Sequence, residues 1–521
     1  MSSDLPGRPD LEFEKKQAKA LLKGFRSGET SAVARMRAHV PRLVESADAA
    51  LADAQFVVAR ERGFDSWPKL KEHIESQRPL QEQIFLFMRA ATGGKLAVAR
   101  RILAQRPEMA AQRLQVACAA ADVANVTALL ARDPALATTL GAGRELPLIC
   151  ACASHFHRIG PLVAAASVRC ARTLLDHGAD PNTHSLGTGA DKLPALYFAC
   201  VSNNLGVVKL LLERGAKPND GESVYHAAEM NHRECLELLI EHGADLSSPG
   251  AGVGNTPLYF LADIGAHTEG VQWLLEHGAD PNVPTGELAA TPLHRVAASG
   301  DVTFAKLLLA HGADPNLPRT DGRTPYVLAV RSGSVEVLEL LRAAGASRDG
   351  LRPVDELLGA CMLADEPAAR AVIDKNPGIV ASLTAEDQQM LHQAASSGLT
   401  EAVRLMGALG FDVAATRNGA TALHEAAWRG KVEVAKILVT LGAPLNVRDA
   451  QYGSSPIAWA AHGSRWCRSA DEDYCAVIDA LIEAGSQYAE SINNSGEPPE
   501  RLASPAVQAH LVASGFVPPK T

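Results

Sequence analysis

The 521-residue sequence has few aromatic residues, no long apolar run and no excess of basic residues. Aromatic residues make up 5% of the chain, and the longest apolar stretch, around residues 161–168, is far too short to span a bilayer. The 50 Lys and Arg residues are outnumbered by 59 Asp and Glu residues, whereas nucleic-acid-binding proteins usually carry a basic surface. We therefore expect neither a membrane-spanning nor a nucleic-acid-binding protein.

The nine cysteines give no disulfide pattern, because their number is odd and their spacing is irregular. Cysteines kept as thiols are typical of a reducing compartment. Residues 1–7 are polar and lack the apolar core of a secretory signal, so we expect a cytoplasmic location. A signal read by a specialised secretion system would leave no such trace, and export by that route stays open.

The short motifs of the common catalytic and nucleotide-binding sites are also missing. The sequence holds no G-x-x-x-x-G-K, no G-x-S-x-G and no H-E-x-x-H. We expect no catalytic residue and no cofactor.

One short segment has the composition of a metal site, because it contains Cys150, Cys152, His155 and His157. Residues two apart on a helix point in different directions, however, and free cysteine behaves as a small hydrophobic residue. The two cysteines also fall at positions that the repeat described below fills with small, buried residues. We therefore expect no metal.

What the sequence does contain is the phrase G-A-D-P-N, repeated after apolar runs. It stands at residues 178–182, 278–282 and 312–316, and degraded copies start at Gly215, Gly243, Gly345 and Gly442. From the first copy to Gly345 the successive glycines are 37, 28, 35, 34 and 33 residues apart. A period of about 33 residues is typical of a repeat built from two helices and a turn. Each such repeat buries its apolar face on its neighbours, so a long chain needs no single central core.

The residues around this phrase explain the two helices. Thr-Pro pairs such as Thr291-Pro292 open the first helix, because Thr caps its end and Pro fits its first turn. Small pairs such as Ala426-Ala427 let neighbouring helices approach closely, and Leu-Leu pairs fill the layer between them. The glycine after the second helix takes the left-handed conformation that ends it.

This pattern resembles the ankyrin repeat family over roughly residues 80–490. Residues 291–294 read T-P-L-H and residues 422–424 read A-L-H, close copies of the family's T-P-L-H motif. The resemblance implies an all-α ankyrin-repeat solenoid of about twelve helix-turn-helix units, with short β-hairpin or turn tips and with helical N- and C-terminal caps. It also implies that the histidines of this motif serve a structural hydrogen-bond network: His294, His392 and His424.

Departures from the repeat divide the chain into five parts. These are a helical N-terminal leader or cap (1–80), a first block of repeats (81–350), a degenerate repeat (351–385), a second block (386–490) and a C-terminal capping helix and tail (491–521). In the degenerate repeat, Asn376-Pro377 replaces the glycine turn. This repeat either bends the array or divides it into two cooperative blocks.

The leader looks like a segment that precedes the repeats of some bacterial ankyrin proteins, and residues 51–55 and 60–71 carry the likeness. We expect Trp67 to anchor it to the first repeat. Residues 1–80 carry 14 Lys and Arg against 12 Asp and Glu, so the acidic excess lies in the rest of the chain. An acidic array favours a basic or amphipathic partner.

The resemblance implies a non-catalytic scaffold that binds a partner protein through the concave surface of the array. In the family the partner usually contacts the hairpin tips and the two residues after the small pair of the first helix. On this chain the candidate contacts at those two positions include Glu229, Met230, Asp263, Ile264, Arg331, Ser332, Trp428 and Arg429. Trp428 and Arg429 stand out, since Trp and Arg are over-represented among binding hot spots. The plain alternative is that Trp428 packs on the neighbouring helix and that Arg429 is solvated.

A further candidate lies in an insertion of the last repeat, from residue 465 to residue 473. Arg465 and Trp466 open this insertion. Insertions in repeat proteins gather on binding faces, so we expect these two residues to contact the partner. The alternative is an ordered loop that covers the end of the array.

Two other functions stay open. A secreted effector that binds a host protein would carry the same repeats. An enzyme would need its active site in the N-terminal unit, but residues 1–80 contain only His39 and His73 as histidines, no cysteine and no nucleotide motif.

Overall fold

The computed structural model describes residues 11–44, 48–141, 143–186, 192–250, 254–265, 268–467 and 469–518. These residues are mostly helical, and they belong to two compact units, Met1–Ala244 and Asp245–Thr521. The all-α class predicted from the repeats is confirmed. Among the described residues, no helix is both long enough and apolar enough to cross a membrane.

The first unit begins with the leader, whose four helices share a core of their own. They are α1 (Leu11–Arg26), α2 (Thr30–His39), α3 (Leu51–Glu61) and α4 (Trp67–Ser76). Trp67 packs against this core, which includes Leu21, Val57 and Leu70. Trp67 therefore stabilises the leader itself, and its role in anchoring the leader to the first repeat stays a prediction.

Five helix pairs follow in the first unit. Their helices are α5 (Leu80–Thr92) and α6 (Leu96–Gln105), the short α7 (Glu108–Gln112), α8 (Leu114–Ala119) and α9 (Val123–Arg132), α10 (Pro147–Ala153) and α11 (Pro161–Asp176), α12 (Ala195–Ser202) and α13 (Leu205–Glu213), and α14 (Ser223–Glu229) and α15 (Arg233–Glu241). From α8 onward, first helices stack on first helices and second helices on second helices. This nearest-neighbour stacking is how repeat proteins bury their apolar faces.

Seven more pairs form the body of the second unit. Their helices are α16 (Pro257–Ile264) and α17 (Thr268–Glu276), α18 (Pro292–Ser299) and α19 (Val302–Ala310), α20 (Pro325–Arg331) and α21 (Val335–Ala343), α22 (Pro353–Met362) and α23 (Glu366–Lys375), α24 (Ala385–Ser397) and α25 (Thr400–Ala408), α26 (Ala422–Trp428) and α27 (Val432–Thr440), and α28 (Pro456–Trp466) and α29 (Asp471–Glu483). The described residues of the two units thus hold twelve repeat pairs, as predicted.

The C-terminal cap consists of two short helices, α30 (Pro499–Leu502) and α31 (Pro505–Ala513), where the sequence suggested one. Ser504 caps α31 and Pro505 occupies its first position, so a new helix begins there. One repeat tip is a hairpin of β1 (Thr416–Arg417) and β2 (Ala420–Thr421). Its turn residues Asn418 and Gly419 have φ of 50° and 78°, left-handed values that Asn and Gly tolerate best.

The degenerate repeat shares a core with the repeats that follow it. Buried side chains of one apolar cluster run from Leu357 in α22 through Leu391 in α24 to Leu511 in α31. This continuity argues against a separation of the degenerate repeat from the second block, and the bend stays a prediction. The boundaries at residues 350 and 385 stay a prediction.

The T-P-L-H histidines are buried in hydrogen-bond networks. The backbone N–H of Thr421 donates to Nδ1 of His424 at 2.9 Å, and Nε2 of His424 lies 3.1 Å from the carbonyl oxygen of Val447. Because Nδ1 accepts, the proton of the neutral ring sits on Nε2 and donates to that carbonyl. Burial lowers the pKa of His424 and of His294 from 6.5 to about 4. Both rings are therefore neutral structural groups at pH 7.

We predict that the protein loses stability as the pH falls from 6.5 to 4. In that window the unfolded chain takes up protons at these two histidines and the folded chain does not, so each lowers the free energy of unfolding by about 3 kcal/mol at pH 4. Urea unfolding across pH 4–7 should show a shallower pH dependence for His424→Gln than for the wild type. The control His242→Gln changes an exposed histidine and should leave the slope unchanged. Parallel curves for all three proteins would contradict this account.

Candidate functional site

Four ring side chains form a connected row on the first helices of the last two repeats. Trp428 ends α26, and Trp459, His462 and Trp466 lie on α28. The Trp428 ring centroid is 5.8 Å from that of Trp459 and 5.4 Å from that of His462, and the His462 centroid is 6.2 Å from that of Trp466. All three contacts are edge-to-face, which is a favourable geometry for aromatic pairs. We call these four residues the aromatic strip.

One end of the aromatic strip is exposed to solvent. Trp428, Trp459 and His462 are half-buried, whereas Trp466 is 69% exposed. Trp428 packs on the neighbouring helix α28, which was the alternative to a binding role. Its ring is nevertheless part of the aromatic row that ends at the exposed Trp466. The row therefore holds the inner rings rigid and presents one indole to solvent.

A glycine makes this close packing possible. A Cβ added to Gly463 of α28 would lie 2.3 Å from the carbonyl oxygen of Trp428, so no larger residue fits there. The hydroxyl of Tyr474 donates to the same carbonyl oxygen at 3.1 Å. Nε1 of Trp459 donates to Oδ2 of Asp449 at 3.0 Å, which fixes its ring. The strip is built by backbone contact and is held by hydrogen bonds.

Two arginines flank the aromatic strip. Arg429 follows Trp428 and is exposed. Arg465 is also exposed, but its guanidinium donates to the carbonyl oxygens of Arg501 and Ala503 at 3.2 Å and 2.9 Å. Burial and the nearby charge of Arg465 lower the pKa of His462, so that ring is neutral at pH 7. The two arginines therefore place positive charge at the ends of the row, while the carboxylate of Asp449 contacts Trp459 within it.

The predicted position of Arg465 and Trp466 on an inserted loop is wrong. α28 runs on to Trp466, so both residues lie on the last turn of a helix. Ser464 donates to the carbonyl oxygen of Ala461 at 2.6 Å within this extension. Arg468, which the sequence places next to them, lies outside the described residues. A helical position gives the two side chains a more fixed direction than a loop would.

Trp459 was missed by the sequence reasoning. It precedes the small pair Ala460-Ala461, whereas only the two residues after each small pair were considered. Arg295, at the equivalent position of α18, also reaches the surface and pairs with Asp263 at 2.7 Å. The residue before the small pair is thus a further outward position of the repeat. Its fixed position relative to the small pair could have identified Trp459 from the sequence.

Arg331 is not a surface residue, contrary to the prediction. It is 4% exposed, and its guanidinium binds Oδ1 of Asp355 at 2.7 Å and Oδ1 of Asp387 at 2.8 Å. Asp387 lies in the first turn of α24, where it also completes a capping box with Thr384. That turn precedes the part of α24 that matches the repeat, so the repeat pattern did not foresee this partner.

Further charges complete a buried ion-pair network around Arg331. Its members are Arg323, Arg331, Asp355 and Asp387, each less than a tenth exposed. Nη2 of Arg323 lies 3.7 Å from Oδ1 of Asp387. Burial raises the pKa of Asp387, but hydrogen bonds from Thr384 and Arg331 outweigh it, and the resulting pKa is below the usual value. Asp387 is therefore ionised at neutral pH, and the network joins α20, α22 and α24.

The remaining predicted contacts are distributed over other repeats. Met230 in the first unit and Ile264 in the second are large apolar residues that are exposed. Glu229 lies 2.7 Å from Nδ1 of His226, and Asp263 is held by its ion pair with Arg295. Ser332 is half-buried and donates to the carbonyl oxygen of Ala297 at 3.1 Å. The structure therefore brings four predicted residues together: Trp428, Arg429, Arg465 and Trp466.

The two cysteines of the cluster near residue 150 are part of the core, and its two histidines are half-buried. Cys150 and Cys152 are buried, and burial raises the pKa of both thiols. The rings of His155 and His157 stack with centroids 6.3 Å apart. Within the described ranges, no group of three His, Cys, Asp or Glu side chains could hold a metal ion.

Comparison with known families assigns the fold. A model described as "Ankyrin repeats (3 copies)" matches residues 162–250, 196–285, 258–349 and 357–449, which together exceed half of the chain. The chain belongs to the ankyrin repeat family. Ankyrin repeats generally mediate protein–protein interaction, and proteins built from them are typically non-catalytic.

Individual relatives share only part of this chain. The transient receptor potential channel pyrexia of Drosophila melanogaster is 31% identical over 104 residues, which cover 19% of this chain and 10% of the channel. The crystal structure of the human ASB11 ankyrin repeat domain is 29% identical with a TM-score of 0.35, and the match covers 44% of this chain and 96% of that domain. The chain therefore spans about a tenth of the channel it matches.

We predict that Arg331→Met destabilises the second unit by about 3–5 kcal/mol, because it leaves Asp355 and Asp387 buried without their shared cation. Urea unfolding of the full chain measures this. Arg429→Met removes an exposed arginine that directly follows a first helix and should change stability by less than about 0.5 kcal/mol. Adding Asp387→Asn to Arg331→Met should restore part of the loss. Equal stabilities for Arg331→Met and Arg429→Met would show that the buried network is not stabilising.

Proposed function

We propose that this protein is a non-catalytic scaffold that binds a partner protein, and that the aromatic strip with Arg429 is part of its contact surface. The supporting observation is Trp466, whose indole is 69% exposed at the end of a row of packed rings. A Trp on a rigid helix can enter a pocket of a partner with little loss of conformational freedom. Edge-to-face packing behind it supports the same role.

The chemistry of the aromatic strip indicates what the partner presents. Trp466 needs an apolar pocket, and Arg429 needs a carboxylate or a carbonyl oxygen. The acidic excess of the array favours a basic or amphipathic partner in general. The exposed positive charge of Arg429 beside this strip favours an acidic contact. We therefore propose that the partner presents an amphipathic segment with at least one acidic residue.

Other first helices of the second unit extend the proposed surface. Ankyrin arrays present these helices on their concave side, and Ile264 and Ser332 occupy the corresponding positions. Met230 occupies the same repeat position in the first unit, where we propose it as a separate contact. Glu229 and Asp263 are paired within the protein, so we assign them a minor share of the binding energy. Arg331 belongs to the buried network. It holds the first helices in position and does not contact the partner.

We also propose a cytoplasmic location for this scaffold. All nine cysteines are free thiols, and seven of them are buried. Buried thiols without disulfides are typical of proteins from reducing compartments. The likeness of the leader to bacterial ankyrin proteins supports a bacterial origin of this architecture.

Affinity capture from the native cells tests the binding surface. We expect the wild type to retain a partner that the double variant Arg429→Ala/Trp466→Ala loses, since removing a Trp hot spot costs about 2 kcal/mol or roughly 30-fold in affinity. Mass spectrometry with isotope labels gives the ratio for each captured protein.

The matched control is Val335→Ala, which truncates an exposed apolar residue at the start of α21. It should capture the same partner as the wild type. Thermal unfolding of all three proteins verifies that the folds are equal. Equal capture by the double variant and the control would reject the aromatic strip as the contact surface.

A further inference from the structure

A groove in the first unit separates the leader from the first repeat. Its walls are α4 of the leader, the end of α5, and α6. Its volume is about 760 Å³, within the range of about 300–1,000 Å³ that is usual for ligand pockets. It lies in the other compact unit from the aromatic strip, and the inference drawn from it does not depend on the proposed function.

The groove is strongly cationic although the protein as a whole carries a net charge of −9. Five basic side chains and one carboxylate line it: Lys71, Arg78, Arg89, Lys95, Arg101 and Glu75. A concave surface with a local excess of one charge concentrates ligands of the opposite charge. The occupant that this lining favours is therefore an anion.

Glu75 neutralises only part of this charge. Its carboxylate lies 3.7 Å from Nζ of Lys71 and 3.1 Å from Nη2 of Arg101. The two basic side chains keep 41% and 43% of their surface exposed, so an incoming carboxylate can reach both. Arg78 pairs with Glu82 at 3.2 Å, and Arg89 is exposed near the end of α5.

Apolar side chains lie between these charges. Leu86 of α5 and Val98 and Ile102 of α6 line the groove, and Val98 is exposed. Buried Gln83 donates through Nε2 to the carbonyl oxygens of Glu75 and Arg78, at 3.1 Å and 3.3 Å. The amide of Gln83 joins the leader to the first repeat and so holds α4 and α5 in a fixed position at the base of the groove. A ligand that fits would combine apolar surface with negative charge.

We infer that this groove binds an acidic peptide segment that carries an apolar anchor residue. The basic side chains come from three directions, with Lys71 on α4, Arg89 on α5 and Arg101 on α6. Several carboxylates spaced along a peptide can meet such a distributed set, whereas a single-headed anion would meet only a part of it. The apolar anchor residue of the peptide then packs against Leu86, Val98 and Ile102, and the basic side chains fix the register of the peptide.

A fluorescein-labelled peptide of alternating Glu and Leu, measured by fluorescence anisotropy with the full chain, tests this inference. Lys71→Glu/Arg101→Glu should weaken binding of the peptide by about tenfold or more, because it reverses the charge of two side chains that contact the peptide. Glu75→Gln should strengthen binding, because it frees two cations from their internal partner. The control Arg100→Glu changes a neighbouring exposed arginine of α6 that does not line the groove, and it should alter binding by less than about twofold.

Two further probes separate the peptide from other anions. An all-Glu peptide of the same length and adenosine triphosphate should both bind more weakly than the Glu-Leu peptide. Equal binding of all three probes would overturn the apolar anchor and identify a general polyanion site. Failure of the Glu-Leu peptide to bind, or an equal loss of binding in Arg100→Glu and in Lys71→Glu/Arg101→Glu, would overturn the inference altogether.

Discussion

Close stacking of each first helix on the next is the constraint on which the second unit depends. At Gly359 and at Gly463 an added Cβ would lie 2.3 Å from the carbonyl oxygen of Val330 and of Trp428, respectively. At these two points no side chain fits between the backbones, and the residues on either side of the contact project away from it. The repeat therefore places successive outward side chains in a row. The aromatic strip is one such row, and its ring contacts follow from the spacing of the helices.

The same repeat position is buried in one repeat and partly exposed in another. Arg331 and Trp428 occupy equivalent positions, one after each small pair, but Arg331 is buried and Trp428 is half-exposed. The difference comes from the first helices that follow. α22 brings Asp355 within 2.7 Å of Arg331 and α24 brings Asp387 within 2.8 Å, whereas α28 brings His462 and Trp459 against Trp428. A buried arginine between two carboxylates links α20, α22 and α24, and an aromatic residue beside aromatic residues builds a surface.

The fold could be predicted from the sequence because its determinants are local. Thr caps, Pro at first turns, small pairs and terminal glycines act within one repeat, and they gave the helix pairs that the structure shows. The site could be predicted only in part. The burial of Arg331 depends on Asp387, 56 residues away, and the helical position of Trp466 depends on an extension that no repeat motif records. The groove beside α4 depends on how the leader meets the first repeat, which neither segment specifies alone.

The account rests on the claim that the exposed indole at the end of the aromatic strip touches a partner protein. Site-specific photocrosslinking tests this most directly: benzoylphenylalanine replaces Trp466 in one variant and the exposed Val335 in another, and both are irradiated in the native cells. The account predicts an ultraviolet-dependent adduct with one discrete protein from position 466 and none from position 335. Absence of an adduct at position 466, or the same adducts from both positions, would contradict it.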